Sequence, residues 1–186
     1  MDSVKCEDGL NIVNSNFIVD FAEFNETYSD AIDVDFGNGV FQNILMDNIG
    51  YAGGGDGLDV SGSIVIVEGA LFDDVGDKAI SVGEGSNLTL KNTIIQNSLV
   101  GVASKDGSTA IIKDVKIHNS GLFDLMAYRK KPEYDFPRLT ISDKDSGEGY
   151  SVFAETGATV ARGNYIFPTN EIDVDDLYEN QMKSSK

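Results

Sequence analysis

Three aspartates, Asp30, Asp33 and Asp35, fall within the stretch SDAIDVDFGNG that runs from Ser29 to Gly39. Carboxylates this dense suggest three uses. They can hold a hard cation such as calcium through oxygen alone, work as an acid–base pair on a glycosidic bond, or simply hydrate the outer face of a strand. Asp59 repeats the pattern in DGLDVSGSIV, and Lys105, Arg129 and Lys130 set basic side chains in related stretches further along. A lysine or arginine opposite cation-bound carboxylates is the arrangement that abstracts the proton beside a uronate in lyase or epimerase chemistry.

Composition removes most other chemistry. One histidine, His118, leaves no basis for a histidine metal cluster or a Ser-His-Asp triad, and one cysteine, Cys6, rules out an internal disulfide and a cysteine-rich zinc site. Against 14 basic residues stand 31 acidic ones, a net charge of −17, and nucleic acid is excluded because its binding needs a cationic footprint. The imbalance is uneven: Met1–Ser98 holds 3 basic and 17 acidic residues, Leu99–Lys186 holds 11 and 14. No run approaches the roughly 20 apolar residues that span a bilayer, so membrane insertion is not expected. The first residues do not read as a signal peptide: either the native protein lacks one or, as the already β-patterned start favours, this is a fragment of a longer chain.

The elements that must position these groups emerge from an internal repeat. DAIDVDFGNG, DGLDVSGSIV, KAISVGEGSN, VGVASKDGST and DLMAYRKKPE begin at Asp30, Asp56, Lys78, Val100 and Asp124, with spacings of 26, 22, 22 and 24 residues. Each of the first four is followed by a second related segment: FQNILMDN, VEGALFDD, LKNTIIQN and IKDVKIHN. Small polar residues recur between these β-branched runs, at Asn43, Gly69, Asn92 and Asp114 and again at Asn48, Asp74, Asn97 and Asn119. They read as turns. No helical pattern separates the strands, and the leucine-rich-repeat signature is missing. What remains is an all-β coil of about 22 residues per turn, stacked at roughly 4.8 Å per rung.

In this repeat the chain resembles the right-handed, single-stranded parallel β-helix superfamily, the architecture of pectate lyases and related carbohydrate-active proteins. The likeness runs from about Gly9 to Tyr165 and implies six to seven coils. GDKAISVGEGS, VGVASKDGS and AYRKKPEY are also similar to β-helix modules of bacterial exported or surface proteins, some joined to kinase-like spore-coat domains. That narrower resemblance implies an exported or cell-surface location but brings no settled activity.

Stacking in register assigns the faces. Ile32, Leu58, Ile80, Val102 and Met126 form one inward ladder, and Val34, Val60, Val82, Ser104 and Tyr128 a second. Asp33, Asp59, Ser81, Ala103 and Ala127 then point outward, as do Asp35, Ser61, Gly83, Lys105 and Arg129, with Lys130 one position on. Asp33 and Asp59 are expected one rung apart, about 5 Å, and with Asp35 they form the candidate metal site, for calcium if occupied. Lys105 and Arg129, in adjacent rungs, would be base and charge stabiliser in a lyase, yet they stand roughly 14 Å from Asp35. No motif of the β-helix lyases, epimerases or polygalacturonases is intact. The outward columns Val40, Ile66, Thr89, Ile111 and Leu45, Leu71, Ile94, Lys116 read either as ordinary β-formers on a half-exposed sheet or as an apolar surface for a neighbouring domain, a terminal segment or another copy.

Residues 1–186 thus read as one domain: an incomplete first coil over 1–28, coils over 29–165, and a C-terminal cap or tail over 166–186. Asp173 is placed to cap a short helix there, and YRKKPEYDFPRL reads as a loop leaving the coil between Arg129 and Arg138. GYAGGGDG lacks the lysine of a phosphate loop and instead accommodates the four extra residues of the first repeat. The functional expectation is a non-catalytic module presenting an acidic face to carbohydrate or to a protein partner. A calcium-assisted lyase or epimerase acting on an acidic polysaccharide, with Lys105 and Arg129 as its catalytic residues, is the enzymatic alternative. An assembly module is the third reading.

Overall fold

The computed structural model describes residues 1–142 and 149–182. It is a parallel β-solenoid of about seven turns with a period of about 23 residues. Sheet I holds β2 (Asp8–Val13), β5 (Asp30–Asp35), β7 (Leu58–Ser61), β9 (Lys78–Gly83), β11 (Val100–Lys105), β13 (Phe123–Tyr128) and β15 (Val152–Ala154), neighbours in that order. Sheet II begins with β1 (Asp2–Val4), β3 (Asn16–Val19) and β4 (Ala22–Thr27), which lead into the long strands β6 (Asn38–Ile49), β8 (Ile64–Val75), β10 (Asn87–Gln96) and β12 (Thr109–His118). It closes with β14 (Arg138–Ile141), β16 (Thr159–Arg162) and β17 (Tyr165–Ile166), the last pair antiparallel.

Each long strand bends where the sequence predicted a turn. Asn43, Gly69, Asn92 and Asp114 take φ of 52°, 73°, 48° and 53°, and Asn48, Asp74, Asn97 and Asn119 take 54°, 50°, 56° and 55°. Asparagine, aspartate and glycine tolerate this left-handed conformation better than other residues, so one such residue per corner turns the chain without breaking the ladder. The corner after sheet I is buttressed inside by buried serines: Ser63 Oγ accepts from Gly37 N–H, Ser86 Oγ from Ser63 N–H, and Ser108 Oγ from Ser86 N–H.

The inward ladders fill the coil. Ile32, Leu58, Ile80 and Val102 pair in register and are fully buried, as are Val34, Val60 and Val82. The fifth segment departs from the expected register. Val102 pairs with Leu125, not Met126, and Lys105 pairs with Tyr128, not Arg129. A one-residue slip exchanges the faces of a strand, so Leu125 and Ala127 point into the core while Met126 and Tyr128 point outward.

Those outward apolar residues are covered by the C-terminal tail. Asp173 caps it as expected, its carboxylate accepting from Asp175 and Asp176 N–H. A single turn, α1 (Val174–Asp176), then continues into π-helical Leu177–Gln181. The tail first covers the last rung, with Tyr165–Ile166 antiparallel to β16, Phe167 packed on the core and Asn170 bridging Glu155 just past β15. Beyond Asp173 it runs on past the end of the coil and lies as a strap over the outer face of sheet I, where Leu177 and Met182 pack with Val100, Ala103, Met126 and Tyr128. The strap is seated there because the register slip turns Met126 and Tyr128 out of the core.

Candidate functional site

The outer face of sheet I has two halves. Over β11 and β13 the strap buries Ala103, Met126 and Tyr128, and over β9 Ser81 is also fully buried. The N-terminal half is an open shelf on β2, β5 and β7, where Asp33, Asp35, Asp59 and Ser61 are each partly exposed. Asp33 pairs with Asp59 and Asp35 with Ser61, the register the repeat implied.

Polar neighbours hold the shelf carboxylates. Asn11 Nδ2 donates to Asp8 Oδ2 at 3.1 Å and to Asp33 Oδ2 at 3.4 Å, and Asp59 Oδ1 accepts from Val60 N–H at 3.0 Å. Burial, with Asp35, Asp59 and Asp8 nearby, pushes the Asp33 carboxyl up to about 7. Asp35 is raised too, by burial and then by Asp59, Glu84 and Asp8. Stacked like charges favour the neutral form. Calcium needs several oxygens gathered on one point. Among the described residues no three His, Cys, Asp or Glu side chains are so grouped, so the shelf does not form a preassembled cation cage.

The basic candidates lie elsewhere. Lys105 is 9% exposed and leans over Gly83, its Cε 3.6 Å from where a Cβ on that glycine would sit. Arg129 leaves the Lys105 column through the register slip. Its guanidinium stacks 4.2 Å from the Phe136 ring centre, and its N–H donates to Glu155 Oε2 at 2.6 Å. Lys130 Nζ sits 4.3 Å from the Tyr178 ring centre, and its N–H donates to Asp106 Oδ1. The structure therefore brings Asp33, Asp35 and Asp59 to one face but turns Arg129 and Lys130 to the loop and the strap.

A buried ionic network at the head of sheet I was not anticipated. Asp30 Oδ1 accepts from Asp56 N–H at 2.7 Å, and Asp56 Oδ1 accepts from Lys78 N–H and Nζ at 3.0 and 3.1 Å. Lys78 Nζ also bonds Asp77 Oδ2. Burial first and Asp56 second push Asp30 up to about 7. Burial raises Asp77 against the pull of Lys78, while Asp56 and Asp77 overcome desolvation to hold Lys78 protonated. Tyr178 roofs this network, with Lys78 Nζ 5.9 Å from its ring centre and its hydroxyl 2.6 Å from that of Tyr128. The repeat showed Asp30, Asp56 and Lys78 in one column, but nothing local showed that Tyr178 of the tail would reach Lys78.

Fold and site together define a parallel β-solenoid with one sheet face divided between an open acidic shelf and a strapped half. Compared with known protein families, curated proteins and solved structures, the chain matches none.

Proposed function

We propose that this solenoid is a non-catalytic binding module of an exported or surface protein, a right-handed β-helix of the pectate-lyase-like kind, whose acidic shelf contacts carbohydrate. The observation that carries this reading is the division of sheet I. The strap leaves Asp33, Asp35, Asp59 and Ser61 accessible beside Asn11, a set of acceptors, amide and hydroxyl that suits the hydroxyl groups of a sugar chain. The lyase or epimerase alternative is less well supported, because Lys105 is buried and Arg129 is stacked away from the shelf. Calcium is not required by this reading.

The test is a titration of the isotope-labelled protein with oligosaccharides, namely a glucosamine hexamer, cellohexaose, and a galacturonate hexamer with and without millimolar calcium. Amide shifts clustered on β5 and β7, lost in Asp33→Asn/Asp59→Asn, are expected. No response on the shelf to any of these sugars would refute it, and unsaturated products absorbing in the ultraviolet would favour the lyase.

A further inference from the structure

A second surface lies on sheet II, away from the shelf and independent of it. The first repeat spacing exceeds the next by four residues, 26 against 22. The excess folds into a tight turn in which Gly53 N–H donates to the Gly50 carbonyl at 3.0 Å and Tyr51 N–H to the Thr27 carbonyl at 3.2 Å. Gly50, Gly53 and Gly54 hold φ of 69°, 99° and 107°, which glycine adopts without a side-chain clash. The turn lifts Tyr51 from the coil and sets its ring edge-on to Tyr28, with centres 5.9 Å apart. Tyr28 is 51% exposed and Tyr51 36%, so the pair fills no core position.

Beside the pair lies a depression of about 430 Å³ lined by Ser3, Lys5, Glu26, Asn48 and Tyr51. It shares Ser3, Glu26 and Asn48 with a second of about 310 Å³. That one shares Asn25 and Asp47 with a third, of about 190 Å³, which reaches Leu45 and Leu71. The three adjoin through these shared residues, and their walls repeat with the rungs: Asp2 pairs with Asn25, Asn25 with Asp47 and Asp47 with Asp73.

The repeat and the chemistry identify an occupant. Rungs recur at about 4.8 Å, close to the length of one pyranose unit in an extended chain. Asn25 Nδ2 already donates to Asp2 Oδ1 at 2.9 Å and Glu23 Oε1 at 3.5 Å, so the Asn25 carbonyl, the Asn48 amide and the carboxylates are the groups that match vicinal hydroxyls, which both donate and accept. An exposed tyrosine face offers a platform for the C–H face of a sugar ring. Among the described residues Lys5 is the one cation lining these depressions, against Asp2, Glu23, Glu26, Asp47 and Asp73, so a polyanion is repelled. We infer that this surface binds an extended neutral polysaccharide, one sugar per rung, with Tyr51 stacked on a sugar at its edge. A lysine-rich peptide would satisfy the carboxylates but would leave the Asn48 amide and the tyrosine platform unused.

Calorimetry on the full chain tests this, with cellohexaose, xylohexaose and mannohexaose as neutral probes and hexalysine as the competing class. At least one neutral hexasaccharide is expected to bind, and Tyr51→Ala is expected to weaken it about tenfold at an unchanged melting temperature. Asn48→Asp, which keeps a residue suited to the left-handed corner and removes the amide donor, should weaken the same sugar, while Asp33→Asn/Asp59→Asn, which disables the shelf, should leave this binding intact. Failure of all three sugars would overturn the inference, as would binding of hexalysine alone. Sugar binding that survives Tyr51→Ala and disappears in the shelf variant would assign it to the shelf and sink the sheet II site.

Discussion

Replacing Asp30 by asparagine should reduce the fall in stability expected of the wild-type chain as pH rises from 5 to 7, with the part due to Asp33, also pushed up to about 7, remaining. Asp30 is raised from 3.8 to about 7, first by burial and then by Asp56, with Asp59 and Asp8 adding. The unfolded chain releases this proton near pH 4 and the folded chain only near pH 7. Between those values the folded state binds more protons, so stability declines as pH rises and levels off above about 7. From pH 5 to pH 7 the decline amounts to two pH units at 1.36 kcal/mol each, about 2.7 kcal/mol as an upper bound. Relaxation of the site and solvent screening reduce this to about 1.5 kcal/mol. Asparagine keeps the acceptor that Asp56 N–H needs and removes the titration. The variant should therefore exceed wild type at pH 8 by more than at pH 5, with the gap widening by about 1.5 kcal/mol, or about 3–6 °C in melting temperature for a domain of this size. Urea melts of both proteins at half-unit pH steps measure this directly. Parallel curves, or a gap that narrows as pH rises, would refute the assignment of a high, burial-driven Asp30 carboxyl.

Two further perturbations probe the strap and the network beneath it. Lys78→Met leaves Asp56 and Asp77 without their shared cation, and unfolding by denaturant at pH 8 should show a loss of about 3–5 kcal/mol; an unchanged midpoint would refute the reading that this buried ion pair is needed by the fold. Leu177→Ala removes a fully buried anchor of the strap and should cost about 2–3 kcal/mol of docking, read as faster hydrogen exchange at Leu177 and Met182 amides with β9 still protected. Equal exchange in both proteins would show that the strap is held elsewhere.

Much of the architecture was legible in the residues because a parallel coil stacks each position on its own kind. The corner columns at Asn43 and Asn48 with their successors, the inward runs from Ile32 and Val34, and the Asp33–Asp59 pairing are all local repeats of type and spacing. Even the four extra residues around Gly50 could be read as an insertion, although the Tyr28–Tyr51 pair that it creates could not. The fifth segment was misregistered because DLMAYRKK offers apolar residues at Leu125, Met126 and Tyr128, and periodicity alone cannot choose between two adjacent frames. The choice depends on what covers the outer face, since Met126 and Tyr128 can point outward only under Leu177, Tyr178 and Met182. Those partners lie about fifty residues away in sequence, and no short-range pattern encodes their contact. The sequence by itself therefore determined the solenoid and the acidic character of its N-terminal half. Tertiary structure decided which part of sheet I stays open, where Lys105 and Arg129 go, and why Asp30 is hard to ionise, because each depends on burial by segments remote in the chain.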